Sequence, residues 1–232
     1  MNFITFAAGR QNYYDAVNRL TTQANNLNIF DKIIGYTDKD LKKDDSFWKQ
    51  HSTFIENNKR GYGYWIWKPY IIKKTMESMN DGDCLLYLDC GCEIDISKKD
   101  KIIDSFQIVK NNYILGTTTH CDKAWTKMDL IIKLDILNEI ELNSPQLQAG
   151  ALLFFVCDKT RNIVNEWYEL ACDYHNIDDT PSNEKNFDCF CDHRHDQSII
   201  SLLAKKYKLY NRQYSLHDCI NYSRNSSGES RL

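Results

Sequence analysis

The strongest structural signal in the chain is Asp83-Cys-Leu-Leu-Tyr-Leu-Asp89-Cys-Gly91-Cys-Glu93. An apolar run leaves the turn Asn80-Asp81-Gly82 and stops at a carboxylate followed closely by glycine. This pattern is typical of a buried strand in an α/β sheet, whose ligands bind at the carboxyl ends of the strands. An Asp at that edge suits a divalent cation, and Gly91 lets a ligand approach the backbone. A metal at Asp89 would indicate a diphosphate ligand and therefore nucleotide-sugar chemistry.

The segments around this run alternate between strand and helix. Residues 3–8 predict a strand, 14–27 a helix with apolar side chains at helical spacing, and 29–36 a second strand. A β-α-β opening of this kind predicts a mostly parallel, Rossmann-like sheet with a right-handed crossover. Further strands are predicted at 113–116, 147–156 and 208–214, helices at 69–79, 98–110, 127–140, 161–174 and 197–207, and irregular connections at 38–60 and 176–192.

Composition limits the class of protein. The 232 residues are 42% hydrophobic and 26% charged, which is enough for one substantial core. A net charge of −3 argues against a nucleic-acid partner, and no apolar run reaches the length of a membrane span. The N-terminus has no basic region before an apolar one, so we expect a cytoplasmic protein with nine reduced cysteines. One α/β domain is predicted over 1–220, with a polar, disordered tail over 221–232.

A second motif is Arg60-Gly-Tyr-Gly-Tyr-Trp-Ile-Trp-Lys-Pro69. Proline suits the first turn of a helix, and helix N-termini attract anions, to which Lys68 adds a full positive charge. The two tryptophans have a simpler explanation as core residues that anchor the helix. A lysine buried among aromatic side chains is costly unless it is paired, so Lys68 predicts a phosphate or carboxylate partner.

A third motif is His193-Arg-His-Asp196-Gln-Ser198, at the start of a predicted helix. Asp196 is either a simple helix cap or a catalytic or sugar-orienting carboxylate. The preceding Cys189-Phe-Cys191 adds thiols to the two histidines. However, structural zinc sites space their paired ligands by two or more residues, and this alternating pattern does not.

Two further places contribute candidate residues. Gln148 and Gly150 lie at the mouth of the predicted strand 147–156, where small residues leave room for a sugar ring and an amide can bind hydroxyls. A plain strand start explains them equally well. His217 follows the last predicted strand; a lone histidine is more often structural, but this one could complete a metal shell.

Together these motifs resemble those of small glycosyltransferases with the GT-A fold, found in chlorella viruses, giant viruses and bacteria. The resemblance covers about residues 1–215. It is carried by residues 61–70, 82–92, Trp125-Thr-Lys-Met-Asp129, Gln148-Ala-Gly150 and His195-Asp-Gln-Ser198.

The resemblance implies a hexosyltransferase that uses a UDP-linked sugar donor, Mn²⁺ or Mg²⁺, and a glycan or other hydroxyl acceptor. Asp89 and, as a weaker candidate, His217 would bind the metal, and Gln148 and Asp196 would face the transferred sugar. The implied donor site comprises Ala7, Ala8, Arg10, Lys68, Asp89, Gly91, Gly150 and Gln197. Trp125 and Lys127 would belong to an acceptor-side loop. If the source is a virus, the expected location becomes the host cytoplasm.

Asp89-Cys-Gly91 departs from the Asp-x-Asp motif of many such enzymes, since glycine replaces the second acid. The metal shell, the need for a metal and the stereochemistry of transfer therefore stay open. Two alternatives share the sheet: a nucleotidyltransferase, for which Ala7-Ala-Gly-Arg10 is a poor phosphate loop, and a catalytically degenerate domain that binds a glycan or a partner.

Overall fold

The computed structural model describes residues 1–210 and 213–232. Its strands are β1 (Asn2–Ala7), β2 (Lys32–Thr37), β3 (Cys84–Leu88), β4 (Glu93–Ile94), β5 (Ile114–Cys121), β6 (Pro145–Phe155) and β7 (Ile220–Asn221). Five of them form one sheet in the order β2-β1-β3-β6-β5, and β4 pairs with β7 in a separate two-stranded ribbon. Only β6 runs against the other four strands of the sheet. The predicted α/β fold with a mostly parallel sheet is confirmed.

Helices cover both faces of the sheet. They are α1 (Gln11–Leu27), α2 (Asp38–Lys43), α3 (Asp45–Asn57), α4 (Gly61–Tyr64), α5 (Trp67–Glu77), α6 (Lys99–Asn112), α7 (Asp122–Trp125), α8 (Met128–Lys133), α9 (Glu139–Asn143), α10 (Asp158–Cys172) and α11 (Asp196–Lys206). The alternation of β3 explains the layers, because Leu85 and Tyr87 face the core under α5, α10 and α11 while Leu86 and Leu88 face α1 and α6. Burial on both faces accounts for the continuous apolar run.

Three local predictions need correction or qualification. Two helices, α2 and α3, fill most of the range 38–60, which is predicted to be irregular, because Asp40 completes a capping box with Thr37 and Asp44 caps the next helix. The helix predicted at 127–140 is interrupted, with Asp135 in a left-handed conformation between α8 and α9. The strand predicted at 208–214 includes residues 211–212, which lie outside the described residues; within the described part, Tyr210 forms an isolated parallel bridge with Ile114.

An unusual backbone precedes α5. Five consecutive residues from Gly61 to Trp65 have positive φ angles, of 57°, 54°, 82°, 49° and 62°. Left-handed backbone costs non-glycine residues free energy, so three such residues in one turn represent stored strain. A Cβ on Gly61 would lie 2.4 Å from the Trp65 ring, so this position has room only for glycine. We call residues 61–68, from this turn to the first residues of α5, the helix wall.

The C-terminal segment, for which composition predicts disorder, packs against the rest of the domain in the structure. Asn225 is fully buried, and its backbone N–H donates to the Gly91 carbonyl at 2.8 Å. Polar residues find partners here in backbone carbonyls and in one buried carboxylate, so the segment needs no apolar core of its own. We call residues 222–231 the strap. The division of the chain at residue 220 stays a prediction.

Two expectations from composition can be compared with the structure. All nine cysteines are free thiols. Within residues 1–210 and 213–232, no helix is both long and apolar enough to cross a membrane.

Candidate functional site

The candidate site begins where three parallel strands end. Ala7, Thr37 and Leu88 are the last residues of β1, β2 and β3. Asp89 follows β3 directly, and its backbone N–H donates to the Gly150 carbonyl on β6 at 2.8 Å. The carboxylate is therefore fixed at the carboxyl edge of the sheet, as predicted, with its side chain about one-third exposed (33%).

Lys68 lies between two carboxylates. Its Nζ is 3.3 Å from Asp89 Oδ1 and 3.2 Å from Asp196 Oδ2. The side chains of Lys68 and Asp196 are both almost fully buried. The prediction that Lys68 is buried and paired with an anion is confirmed. The pairing with two carboxylates follows because a buried ammonium requires opposite charge nearby.

The helix wall positions this ammonium. The strained turn ends at Trp65, and α5 begins two residues later with Trp67 stacked on Phe6 of β1 at 3.8 Å between ring centroids. Nζ of Lys68 also lies 5.5 Å from the centre of the Tyr87 ring. The prediction that both tryptophans are core residues holds for Trp67, which anchors the helix. Trp65 is only half-buried and stacks on His195.

Asp196 is the first residue of α11 and has an unusual electrostatic environment. Burial raises its pKa to about 6; the ammonium of Lys68 lowers it and the charge of Asp89 raises it further. The ammonium of Lys68 is the cation that faces the buried oxygen Oδ2, and the two atoms are 3.2 Å apart. The residue before it, His195, has φ 55° and ψ −128°, which is strained for a non-glycine residue.

Gly150 faces the same point from β6. A Cβ at this position would lie 1.9 Å from the hydroxyl of Tyr222 and 2.8 Å from Asp89 Oδ2. Both oxygens therefore converge on the space that the missing side chain leaves. Tyr87 closes the other side, with its hydroxyl donating to Asp89 Oδ1 at 2.5 Å. The space beside Gly150 is thus taken by Tyr222 and Asp89, whereas the sequence predicts room for a sugar ring there. Tyr222 is an addition to the predicted residues.

Gly91 also needs its small size, but its neighbour differs from the expected one. A Cβ on Gly91 would lie 3.2 Å from the Cα of Arg224. The close approach to this glycine is made by the strap and not by space open to a ligand.

The glutamines on β6 and α11 divide into two groups. Gln148 is half-buried at the strand mouth. Gln197 donates to Gln146 Oε1 at 2.5 Å and accepts from the Ala149 N–H at 3.3 Å. Gln146 in turn donates to Asp122, which also binds Lys205, so Gln197 belongs to a buried polar network that fixes the start of α11 against β6. That network escaped the sequence-based predictions because its members are far apart in the chain.

The predicted acceptor-side residues occupy different environments. Trp125 is half-buried, with the Arg194 guanidinium 3.9 Å from its ring centre. Lys127 is buried, and its ammonium binds Asp178 and the His175 carbonyl, each at 2.9 Å. Its charge is thus satisfied within the loop that follows α10.

The predicted nucleotide-side residues follow β1. Ala7 is buried at the end of the strand, Ala8 is half-buried, and Arg10 is exposed just before α1. They lie at the same edge of the sheet as Asp89, because β1 and β3 are parallel neighbours.

The predicted metal ligands are not clustered. Nε2 of His217 is 3.2 Å from the Thr118 backbone nitrogen on β5, and β6 separates β5 from the strand that carries Asp89. The second ligand proposed for the metal is therefore not brought to Asp89. No three His, Cys, Asp or Glu side chains form a metal-binding group in the described part of the chain. The same observation gives no support to zinc at Cys189, Cys191 and the two nearby histidines.

Comparison with known proteins gives likenesses of structure alone. No protein-family model and no curated protein matches the sequence. Mouse xyloside xylosyltransferase 1 aligns over 90% of this chain and 84% of its own, with 9% identity and a TM-score of 0.47. A glycosyltransferase involved in the glycosylation of the major capsid of PBCV-1 aligns over 73% and 65%, with 12% identity and a TM-score of 0.41. The galactosyltransferase LgtC, in complex with donor and acceptor sugar analogues, aligns over 88% and 70%, with 14% identity and a TM-score of 0.44. At these identities and TM-scores the likeness is one of structure and says nothing about activity.

Proposed function

We propose that this chain is a glycosyltransferase that moves a sugar from a UDP-linked donor to a hydroxyl group of a glycan acceptor. The observation that carries the proposal is the buried contact of Lys68 with Asp89 and Asp196 at the carboxyl edge of a mostly parallel sheet. This arrangement combines charge for a diphosphate with a carboxylate of raised pKa, a combination that is typical of catalytic sites.

The charges at the site set the requirements for a diphosphate leaving group. One ammonium and two carboxylates leave an excess negative charge when both acids are ionised. A departing diphosphate adds more negative charge, so further cations are needed. Two arginines lie near the site: burial and the charge of Arg224 lower the pKa of Arg194, and the charge of Arg224 opposes the rise in the pKa of Tyr222 that burial causes.

A divalent cation is the other source of positive charge. Asp89 Oδ2 has no hydrogen-bond partner among the described residues, and one-third of this side chain is exposed, so it suits a single-carboxylate site. Mg²⁺ is often held by one or two carboxylates with substrate phosphates. Bound Mn²⁺ or Mg²⁺ would be held by Asp89 and would supply Lewis-acid stabilisation of the leaving group.

The chain's own residues then divide the remaining work. Lys68 holds Asp89 in place and offsets charge at the diphosphate, while Gln148 and Asp196 face the transferred sugar. The acceptor oxygen forms a bond to the anomeric carbon. The bond between that carbon and the diphosphate oxygen breaks, and the diphosphate leaves with the electron pair. An inverted product assigns the hydroxyl proton to Asp196, and a retained product assigns it to the departing diphosphate.

Nucleotide binding tests the proposal. Purified protein is titrated with UDP, GDP and CMP by calorimetry, each with Mn²⁺ and with EDTA, and hydrolysis of the matching nucleotide sugars is measured. We expect UDP to bind most tightly, with UDP-sugar hydrolysis that Asp89→Asn lowers about 100-fold. Absence of binding to all three nucleotides would refute the transferase and favour the non-catalytic domain. Release of pyrophosphate from a nucleoside triphosphate as a sugar phosphate is converted into the nucleotide sugar would instead favour the nucleotidyltransferase.

A further inference from the structure

We infer that the strap is a working part of the donor site, with Tyr222 and Arg224 contacting the nucleoside diphosphate and with Arg19 and Glu93 as positioning residues. This inference rests on the proposed function and extends it. It is carried by hydrogen bonds and close approaches that join the strap to the loop after Asp89.

Arg19 on α1 ties the strap to that loop. Its guanidinium donates to the carbonyls of Cys90 and Cys92 at 2.7 and 2.9 Å, and to those of Asn225 and Ser227 at 3.1 and 2.9 Å. The residue is 7% exposed. One planar group thus fixes both segments at once, which a lysine cannot reproduce because it lacks the five fixed donors.

Glu93 makes a second connection from the ribbon. Its carboxylate is fully buried and accepts from the Ser223 hydroxyl at 2.8 Å, the Ser230 hydroxyl at 3.2 Å and the Arg231 N–H at 2.8 Å. These donors hold the pKa of Glu93 below its usual range although burial opposes them. The acid two residues after Gly91 in the sequence thus binds the strap.

The two anchors place the Tyr222 phenol near Asp89 and the backbone of Arg224 against Gly91. The β4–β7 pairing, with Glu93 opposite Asn221, places Tyr222 beside the loop. Its hydroxyl converges with Asp89 Oδ2 on the space at Gly150. A phenol is a hydrogen-bond donor at neutral pH, so this hydroxyl can donate to a phosphate oxygen.

Arg224 is the next cation along the strap. Its side chain is exposed while its backbone, at φ 51°, is pressed against Gly91. An exposed guanidinium fixed at its base is suited to bind phosphate oxygens in a forked geometry. Together the phenol and the guanidinium complement a diphosphate that the two site carboxylates alone would repel.

The test measures UDP binding by calorimetry, in EDTA and in Mn²⁺, for the unmodified chain, three variants and one control variant. In EDTA we expect Tyr222→Phe and Arg224→Gln each to weaken UDP binding about tenfold, the loss typical of a hydrogen bond to a charged group. Arg19→Lys should weaken it similarly at temperatures well below the melting temperature of the variant, where circular dichroism shows native secondary structure. Tyr214→Phe is the matched control, because Tyr214 is also a C-terminal tyrosine but lies beside α6.

The outcomes separate the two proposals. UDP binding by the unmodified chain that Tyr222→Phe and Arg224→Gln leave within twofold would overturn the role of the strap alone. Absence of UDP binding by the unmodified chain would overturn the proposed function and this inference with it. Weakening by Arg19→Lys without any effect of the other two variants would reduce the strap to a structural brace and likewise overturn the inference.

Discussion

The two sides of the candidate site are built by different means. The helix wall buries aromatic rings and one lysine, and it holds Lys68 by packing and ion pairs. The strap has few apolar residues and is held by the fork of Arg19 and the carboxylate of Glu93. One side therefore depends on burial of apolar area, and the other depends on hydrogen bonds made by residues distant in sequence.

This difference has a consequence for stability. Apolar burial is non-directional and tolerates small shifts, whereas a buried polar network loses much of its value when one member is removed. We expect substitutions in the helix wall to affect the whole domain, and substitutions at the strap to affect the site first.

The largest effect is expected for Lys68→Met. Removal of the ammonium leaves Asp196 buried without its cation, and breaking a buried ion pair costs about 3 kcal/mol or more. We expect loss of measurable UDP-sugar hydrolysis and a free energy of unfolding lower by about that amount, measured by urea denaturation.

Lys73→Met on the same helix is the matched control, because its partner Glu77 lies on the surface. A change below about 0.5 kcal/mol is expected there. Equal losses in the two variants would remove the distinction between a buried and a surface ion pair on α5.

Asp89→Asn comes next and tests the residue on which the two sides converge. Asparagine keeps the shape but removes the charge, so we expect turnover to fall about 100-fold with a melting temperature within a few degrees of the original. Wild-type turnover in Mn²⁺ would contradict the role of Asp89, and unfolding of the variant would show that the ion pair with Lys68 is structural.

These first two substitutions concern residues that the sequence already singles out, and the reason is physical. Alternating and continuous apolar runs reveal strands and helices, and a lysine among aromatic residues signals a buried charge. Arg19 and Asn225 carry no such local signal, because they are buried through contacts between distant parts of the chain. The guanidinium of Arg19 donates to the carbonyl of Asn225, which is 206 residues away. The left-handed backbone at 61–65 is not predicted from the sequence either, because two glycines are compatible with it but the three aromatic residues are not typical of it.

Glycine substitutions compare the two sides directly. Gly61→Ala places a Cβ 2.4 Å from the Trp65 ring at φ +57°, whereas Gly91→Ala meets Arg224 backbone at 3.2 Å without a positive φ. We expect Gly61→Ala to lower the free energy of unfolding by about 2 kcal/mol and Gly91→Ala by about 1 kcal/mol.

Gly91→Ala should nevertheless weaken UDP binding more than its effect on stability predicts, because it displaces the strap. Gly82→Ala, whose Cβ meets nothing within 4 Å, isolates the cost of positive φ alone. A Gly61→Ala variant as stable as Gly82→Ala would mean that the Trp65 ring moves freely and that the helix wall is not preorganised.

The smallest effect is the pH dependence of Asp196. Its pKa of about 6 is above the ordinary value of 3.8, so the carboxylate is ionised above pH 6 and protonated below it. If the ionised form faces the sugar, hydrolysis should fall about tenfold per pH unit as the pH decreases below 6.

The raised pKa of Asp196 also makes the folded state hold a proton more tightly than the unfolded chain, so this group's contribution to stability decreases as the pH rises from about 4 through 6. Asp196→Asn should remove this limb of the pH–rate profile and this slope in stability together. A profile that stays flat between pH 5 and 7 in the unmodified chain would instead make Asp196 the cap of α11 and the buried partner of Lys68.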